Sequence, residues 1–314
     1  MIAVRLEQWG TNPRIVSGGA PAPARGETLV QVSAAAVSHL DLSVASGHFP
    51  LSPPLPYIPG VEAAGKVLVS ERHPPGTAVV VRGAGVGLSR DGTWAEAIVV
   101  PNDALQPWPD GMSAALAASY FVPATTAHLA LNDVGQATRD DTVLVVGAGG
   151  AVGSLACQLA SRIGARVLGL ARQGPCECMA PDIDWIHPED HSRLAQLSAA
   201  RDITLIIDTV GGSDFEERLS WVAPGGRVAV VGYTHGSSMT LDVPAWLVAD
   251  VAILPVNGLR RSGAAAACST ALARDLVEGS LHLAITSYSM SDAARAMADL
   301  AAGRVRGRAV LNPA

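Results

Sequence analysis

The residues whose types and spacing carry the most definite chemistry lie in TVLVVGAGGAVG, Thr142 to Gly153. An apolar strand runs straight into Gly147, Gly149, Gly150 and Gly153, and an Ala-rich stretch of helical length follows. Such a turn offers bare backbone and the N–H groups of a helix start to an anion. The anion it suits is the pyrophosphate of a dinucleotide, with Gly147, Gly149, Gly150, Ala151 and Val152 as the binding stretch. Counted from Gly147, the third glycine of G-x-G-x-x-G falls one place late, at Gly153. A second apolar strand, Arg166 to Leu170, follows and ends at Ala171 and Arg172 instead of the Asp or Glu that accepts from a ribose 2′-hydroxyl. No carboxylate repels a 2′-phosphate there and a guanidinium is present to pair with it, so Arg172 points to NADPH over NADH.

The other reactive groups are sparse. Cys157, Cys176, Cys178 and Cys268 are too few and scattered for a disulfide framework. Cys176 and Cys178 form a C-x-C pair, but no second pair or His cluster completes four ligands, so no structural zinc is expected.

These groups must be positioned by two kinds of segment. Up to about residue 110 the chain reads as short strands cut by Gly and Pro: Ile2 to Leu6, Glu27 to Ala36, Ala63 to Val69, Ala78 to Arg82 and Ala95 to Val100. That is a small, barrel-like β domain. Pro50 to Gly60 holds five prolines and is expected to be an ordered loop. From Ser113 helices alternate with fully apolar strands, the pattern of a buried parallel sheet. The strands read are Thr142 to Val146, Arg166 to Leu170, Ile203 to Asp208, Arg227 to Val231 and Val251 to Pro255, with helices at Val152 to Ile163 and Asp214 to Val222. Beyond Gly258 come a helix (Ala264 to Glu278), a short strand near Ala284, a helix (Ser291 to Ala302) and a closing strand, Arg308 to Leu311.

At 314 residues, 49% hydrophobic and 16% charged, the chain has the length for two domains and the apolar content for sizeable cores. Its net charge of −6 comes without runs of one sign, which excludes the footprint of a nucleic-acid binder. No segment approaches the roughly 18 consecutive apolar residues of a membrane span, and MIAVRLEQWG lacks a signal-peptide pattern, so a cytoplasmic protein with no membrane partner is expected.

Six strings in order carry a resemblance: GVEAAGKV (Gly60 to Val67), VPATTAHLAL (Val122 to Leu131), GAGGAVG, IDTVGG (Ile207 to Gly212), LSWVAPGGRVAVVG (Leu219 to Gly232) and GRVRGRAVL (Gly303 to Leu311). With them the chain resembles the medium-chain dehydrogenase/reductase superfamily, in particular its zinc-independent quinone oxidoreductase branch. The resemblance implies an α/β protein: a GroES-like β-rich catalytic domain, residues 1–118 and 256–314, with a doubly wound Rossmann domain inserted as residues 119–255. Zinc-dependent members carry a Cys where this chain has Ser38, and a His before Glu62 where it has Val61. Neither supplies a soft ligand, so no Lewis acid polarises an alcohol oxygen. An acceptor already electrophilic, such as a quinone or an α,β-unsaturated carbonyl, is expected instead.

The resemblance also implies that Thr126, Val210, Gly232, Tyr233, Asn257 and Gly258 join the glycine turn in the cofactor groove, and that the loop from His39 to Ser43 closes on the nicotinamide. His39, as a histidine able to donate a proton or orient substrate, is with Ser43 the catalytic candidate. His48, Phe49, Tyr57 and Trp94 are candidates for the substrate cleft, while Asp41 is expected to cap a helix. Glu62 is expected to hydrogen-bond without metal, His128 to sit on an apolar helix face, and Arg304, Arg306 and Arg308 to form a solvated cluster. The tyrosine and arginine common in the loop of quinone reductases are Ser43 and Ala45 here. Two alternatives to an NADPH-dependent reductase therefore stand: an NADPH-binding protein with a degenerate catalytic loop, and a specialised biosynthetic reductase or cyclisation-coupled enzyme. A homodimer is expected from the resemblance and from the apolar strand VAILPV.

Overall fold

A computed structural model describes residues 1–174 and 182–313, so Cys176 and Cys178 lie outside the described residues. The first segment runs through β1 (Ile2–Arg5), β2 (Arg14–Ser17), β3 (Glu27–Val37), α1 (His39–Ala45), β4 (Glu62–Ser70), β5 (Ala78–Arg82), β6 (Ala97–Pro101), β7 (Leu105–Pro107) and α2 (Ala114–Ala117). Then come α3 (Phe121–His128), β8 (Thr142–Val146), α4 (Ala151–Ile163), β9 (Arg166–Leu170), β10 (Asp184–Ile186), α5 (His191–Ala200) and β11 (Ile203–Asp208). They are followed by α6 (Phe215–Ser220), β12 (Val222–Val230), α7 (Val243–Ala249), β13 (Ala252–Pro255) and α8 (Ser262–Val277). The chain closes with β14 (Ile285–Ser289), α9 (Ala293–Ala301) and β15 (Arg308–Asn312).

Two compact units result, Met1–Phe121 with Ile285–Ala314, and Val122–Ala284. The return to the first unit comes later than the expected break after residue 255, because 256–284 belongs to the inserted unit. Side-chain bonds between α4 and the segment from α8 onward give the reason. Gln158 donates to His282 O (2.8 Å) and accepts from its amide (2.8 Å), and Arg162 pairs with Asp275 at 2.7 Å.

In the first unit, the 11-residue β3 is the organising strand. One edge pairs antiparallel with β4; the other is shared, Glu27 to Gln31 with β6 and Ala35 to Val37 with β15. The sheet runs β14-β15-β3-β4-β5-β7, and its buried face collects Val30, Val32, Val67, Val81, Trp94 and Leu311. The proline-rich loop is ordered as expected: Leu6 and Tyr57 exchange two backbone hydrogen bonds, and the Ile58 amide donates to Asp91.

In the second unit, six parallel strands lie in the order β10-β9-β8-β11-β12-β13. Numbered within the unit this is 3-2-1-4-5-6, the doubly wound order of a dinucleotide fold. Helix α4 follows from its alanines and from Gly164, which ends it in the left-handed region at φ 86°. At the opposite end of the sheet from the strand carboxyl termini, Arg227 grips Asp141 in two parallel bonds of 2.9 and 3.0 Å and also donates to Gly135 O and Gln136 O. Burial pushes the Asp141 carboxyl up, but Arg227, the Thr204 hydroxyl and the Thr138 amide together hold it well below the usual carboxylate range.

A carboxyl whose folded pKa is depressed stabilises the fold above its unfolded pKa, near pH 4, and that contribution is lost as pH falls toward the folded value. Arg227→Met is expected to destabilise the protein by about 3 kcal/mol at neutral pH by leaving Asp141 unpaired. Urea unfolding should show this deficit shrinking at about pH 3, where Asp141 without its partner takes up a proton. A deficit equal at both pH values would rule out the ion pair as its source.

Candidate cofactor site and catalytic loop

The glycine turn is built by close approach. After β8 the chain turns at Gly147 with φ 79°, where a Cβ would come within 2.3 Å of Thr209 Oγ1. Gly150 is the N-cap of α4, and a Cβ on Gly153 would lie 2.2 Å from Gly147 O, so α4 can sit on the turn only with glycine there. Counted from the helix start, Ala148, Gly150 and Gly153 occupy the three fingerprint places. The spacing that looks one residue late from Gly147 is therefore in register with the helix, with buried Ala148 in the first place. Gly149, in a variable place of the fingerprint, differs: a Cβ there would meet Ala171 Cβ and Gln173 O at ordinary contact distances of 3.7 and 3.8 Å, so the position has room for a side chain. Beside it, the first-turn amides at Ala151 and Val152 have no acceptor within the helix and carry its positive end.

These atoms stand at the carboxyl end of β8, next to β11, where the strand order reverses and a crevice opens. The far wall of that crevice is shaped by Asp208, which has no solvent exposure. Its Oδ1 accepts from the amides of Val210 and Gly211 (both 2.8 Å), and its Oδ2 takes the Arg218 guanidinium at 3.0 Å. Arg218 also donates to Gly211 O at 2.7 Å, so the turn after β11 is clamped from both sides. A cleft of about 270 Å³ lies at the ends of β12 and β13, lined by Gly211, Val230, Gly232, Tyr233, Met239 and Pro255. Of the expected groove residues, Val210, Gly232 and Tyr233 are thus brought to this end of the sheet. Asn257 and Gly258 are exposed just past β13, with Asn257 Oδ1 accepting from the Arg260 amide. Thr126 is half-buried on α3, and Arg172 is exposed just past β9, without an ion pair among the described residues. His128 ends α3 half-buried, 3.2 Å from Asn132 Nδ2.

In the first unit, Ser38 caps α1 and forms a reciprocal capping box with Asp41, whose carboxylate takes the Ser38 amide (2.7 Å) and hydroxyl (2.6 Å). Asp41 is thus a helix-start residue, as expected. Burial pushes its carboxyl up, against the opposing pull of Ser38 and Arg308. His39 is exposed at the first position of α1, and the Ser43 hydroxyl donates to His39 O at 3.0 Å. His48 is exposed, 3.2 Å from Ser46 Oγ, and Phe49 packs half-buried on the cluster of Leu6, Val44 and Tyr57.

The enclosed aromatics differ from expectation. Trp94 has no exposed surface and its indole donates to Ala36 O at 2.9 Å, so it has no face to present to a substrate. Tyr57 is buried in the α1 cluster. The arginine cluster is divided as well. Arg304 is exposed and paired with Asp299 and Arg306 is exposed, but Arg308 is buried and bonded to Glu62. The cause is register: Arg308 opens β15 and lies within the sheet, whereas Arg304 and Arg306 precede it in the turn. The sequence gives no separate signal for the Asp208–Arg218 and Glu62–Arg308 pairs beyond charged residues at the ends of apolar strands.

A doubly wound unit with a glycine-rich helix start is thus inserted in the chain of a β-rich unit. Residues 24–110 match the alcohol dehydrogenase GroES-like domain, and residues 185–311 match the zinc-binding dehydrogenase family. A zinc-type alcohol dehydrogenase-like protein of Schizosaccharomyces pombe is 38% identical over 67% of this chain and 63% of its own length, so the chain spans little more than three-fifths of that relative. An acrylyl-CoA reductase of Ruegeria pomeroyi is 30% identical over 91% of this chain and 90% of its own. Among solved structures, the quinone oxidoreductase of Thermus thermophilus, described with its NADPH complex, superposes with a TM-score of 0.80 at 26% identity, covering 99% of this chain and 100% of that one. The chain belongs to the medium-chain dehydrogenase/reductase superfamily, in its quinone oxidoreductase-like branch.

The two glycines of the turn should respond differently to a methyl group. Gly150→Ala is expected to fold with an unchanged thermal midpoint, because a Cβ there meets only Gly147 O at 3.4 Å, but to weaken NADPH binding, because the second fingerprint place is where bare backbone is expected to approach the pyrophosphate. Gly153→Ala should lower the midpoint and the affinity together. Thermal unfolding and a fluorescence titration with NADPH on both variants make the comparison, and undiminished affinity in Gly150→Ala would remove the pyrophosphate from that place.

Proposed function

We propose that this protein is an NADPH-dependent reductase that delivers hydride, without catalytic zinc, to a quinone or an α,β-unsaturated carbonyl. The glycine-rich turn at the α4 helix start carries the reading, because it is a cradle of bare backbone at the switch point of a doubly wound sheet. NADPH, when bound, supplies the hydride. The first-turn amides of α4 receive the pyrophosphate, and Arg172, exposed just past β9, pairs with the 2′-phosphate. The Asp208 clamp fixes the turn facing that cradle.

Supporting the zinc-free part, the Ser38 hydroxyl is committed to Asp41, Val61 is a buried apolar residue, and no three His, Cys, Asp or Glu side chains gather into a metal-binding group among the described residues. An acceptor polarised by its own conjugation suits such a loop, since hydride addition to its β-carbon needs only a proton at the α-carbon or oxygen to complete the reduction. His39 is the proposed source of that proton, while Ser43 has its hydrogen turned to its own helix. The reductase and NADPH-complexed neighbours agree with this chemistry. We further propose a homodimer in which the outer edge of β13 pairs with its copy, next to Leu247 and Val248 of α7, which are strongly exposed.

The purified protein is expected to oxidise NADPH with cyclohexenone or benzoquinone, to leave NADP unreduced with propanol, and to keep full activity after exhaustive chelation. Tight NADPH binding without turnover would replace the reductase with a binding-only protein, and zinc-restored activity would overturn the metal-free step. Arg172→Ala should cut the NADPH-over-NADH preference, measured by dissociation constants, by about tenfold or more at low salt. Equal losses for both cofactors would return Arg172 to an ordinary surface charge. Sedimentation should give a dimer at micromolar concentration, and a monomer would sink the edge pairing.

A further inference from the structure

Arg5, Arg90, Arg193, Arg218, Arg227 and Arg308 are the other arginines at least partly withdrawn from solvent, and each has a carboxylate partner. Arg82 does not. It is partly buried at the end of β5, and among the described residues no carboxylate or carbonyl accepts from it. Its guanidinium lies flat on the Phe121 ring, Cζ 3.2 Å from the centroid. Stacking satisfies the face of the group, but its N–H donors lie in the plane and point outward from the edge. A cation withdrawn from water without an acceptor is costly, and an arginine stays charged rather than escaping that cost by losing its proton.

The nearest fixed anion cannot complete it. Glu62 stands opposite Arg82 in the β4–β5 ladder and attracts it through space, but that carboxylate is bonded to Arg308. The other buried carboxyl group of this cluster, Asp41, lies in the field of Arg308 and is engaged by Ser38, so Arg82 is left without a bonded anion. Arg82 sits on the same unit as the loop of His39 and Ser43, whereas the cradle for the dinucleotide's own phosphates is on the other unit.

We propose that Arg82 is an anion-recognition site that receives a carboxylate or phosphate oxygen of the hydride acceptor, so that the natural acceptor is an acidic enone or enoyl compound. This rests on the reductase reading above and narrows its substrate class. A planar guanidinium held by Phe121 offers two parallel donors to such a group, the geometry that favours carboxylate and phosphate over neutral oxygens.

A matched pair of acceptors tests it: 4-oxopent-2-enoate and its methyl ester, which share the enone and differ in one charge. In the wild-type protein kcat/KM should favour the acid by about tenfold or more, the scale of one charge-assisted hydrogen bond. Arg82→Met keeps an apolar side chain on Phe121 and should abolish that preference while leaving the ester and the dissociation constant of NADPH unchanged. Arg82→Lys should retain part of it. Thermal unfolding of both variants checks that they are folded. No preference in the wild type, equal loss for acid and ester in Arg82→Met, or a weakened NADPH in its place would overturn the proposal, the last by assigning Arg82 to the cofactor. If neither acceptor turns over, the reductase reading fails by itself. Calorimetric binding of acid and ester to the NADPH-saturated wild type and Arg82→Met then decides the anion site: tighter binding of the acid, lost in the variant, supports it, and equal binding of the two overturns it.

Discussion

Asp208 is sealed from water at the end of an apolar strand, and a carboxylate in that position must find every hydrogen bond inside the protein. It finds them in two amides of the turn that follows and in Arg218 of the next helix, which reaches back to the same turn. The path of residues 208–212 is thereby fixed, and other parts are built against it. Thr209 limits Gly147 to a residue without a side chain, and a Cβ at Gly232 would lie 2.3 Å from Thr209 O. The turns after β11 and β12 are thus packed backbone to backbone, and the glycine loop meets the first of them through the Thr209 and Val210 side chains.

Charge is handled differently in the first unit. There the ladder between β4 and β5 sets Glu62 opposite Arg82, while β15, arriving from the far end of the chain, delivers Arg308 to the same carboxylate. One anion is thus addressed by two cations from different strands, and Asp41 lies within reach of the field of Arg308. Burial sharpens these interactions because little water screens them. The capping box that holds α1 is part of the same arrangement, so the orientation of the loop carrying His39 is tied to a buried ionic cluster as well as to hydrophobic packing.

Regular features were legible in the chain itself. The strands Ala78–Arg82, Thr142–Val146, Arg166–Leu170 and Ile203–Asp208 are read to the residue because each is a run of β-branched and aliphatic side chains bounded by charge, Gly or Pro. The short elements β2, β7 and β10 and the helices α5 and α7 were not, for a physical reason. Three or four residues carry too little periodicity, and α5 and α7 bury almost nothing, with Leu197 the one buried side chain of α5 and none on α7. The register of the glycine fingerprint was also hidden, since counting from the first glycine does not reveal where the helix begins.

Sequence alone determined the class of ligand, because a glycine-rich turn between an apolar strand and a helix leaves few other uses, and it determined that Ser38 and Val61 offer no thiolate or imidazole. Local pattern suffices when the chemistry depends on residues adjacent in the chain. Tertiary structure alone decided which arginines are buried and what each one faces. Arg308 was one of three in GRVRGRAVL until β15 placed it in the sheet against Glu62, 246 residues away, and Arg82 was a strand terminus until Phe121 was laid under it. Such pairings depend on strand order and register, which bring distant segments together after the local pattern has been spent, and no spacing along the chain encodes them.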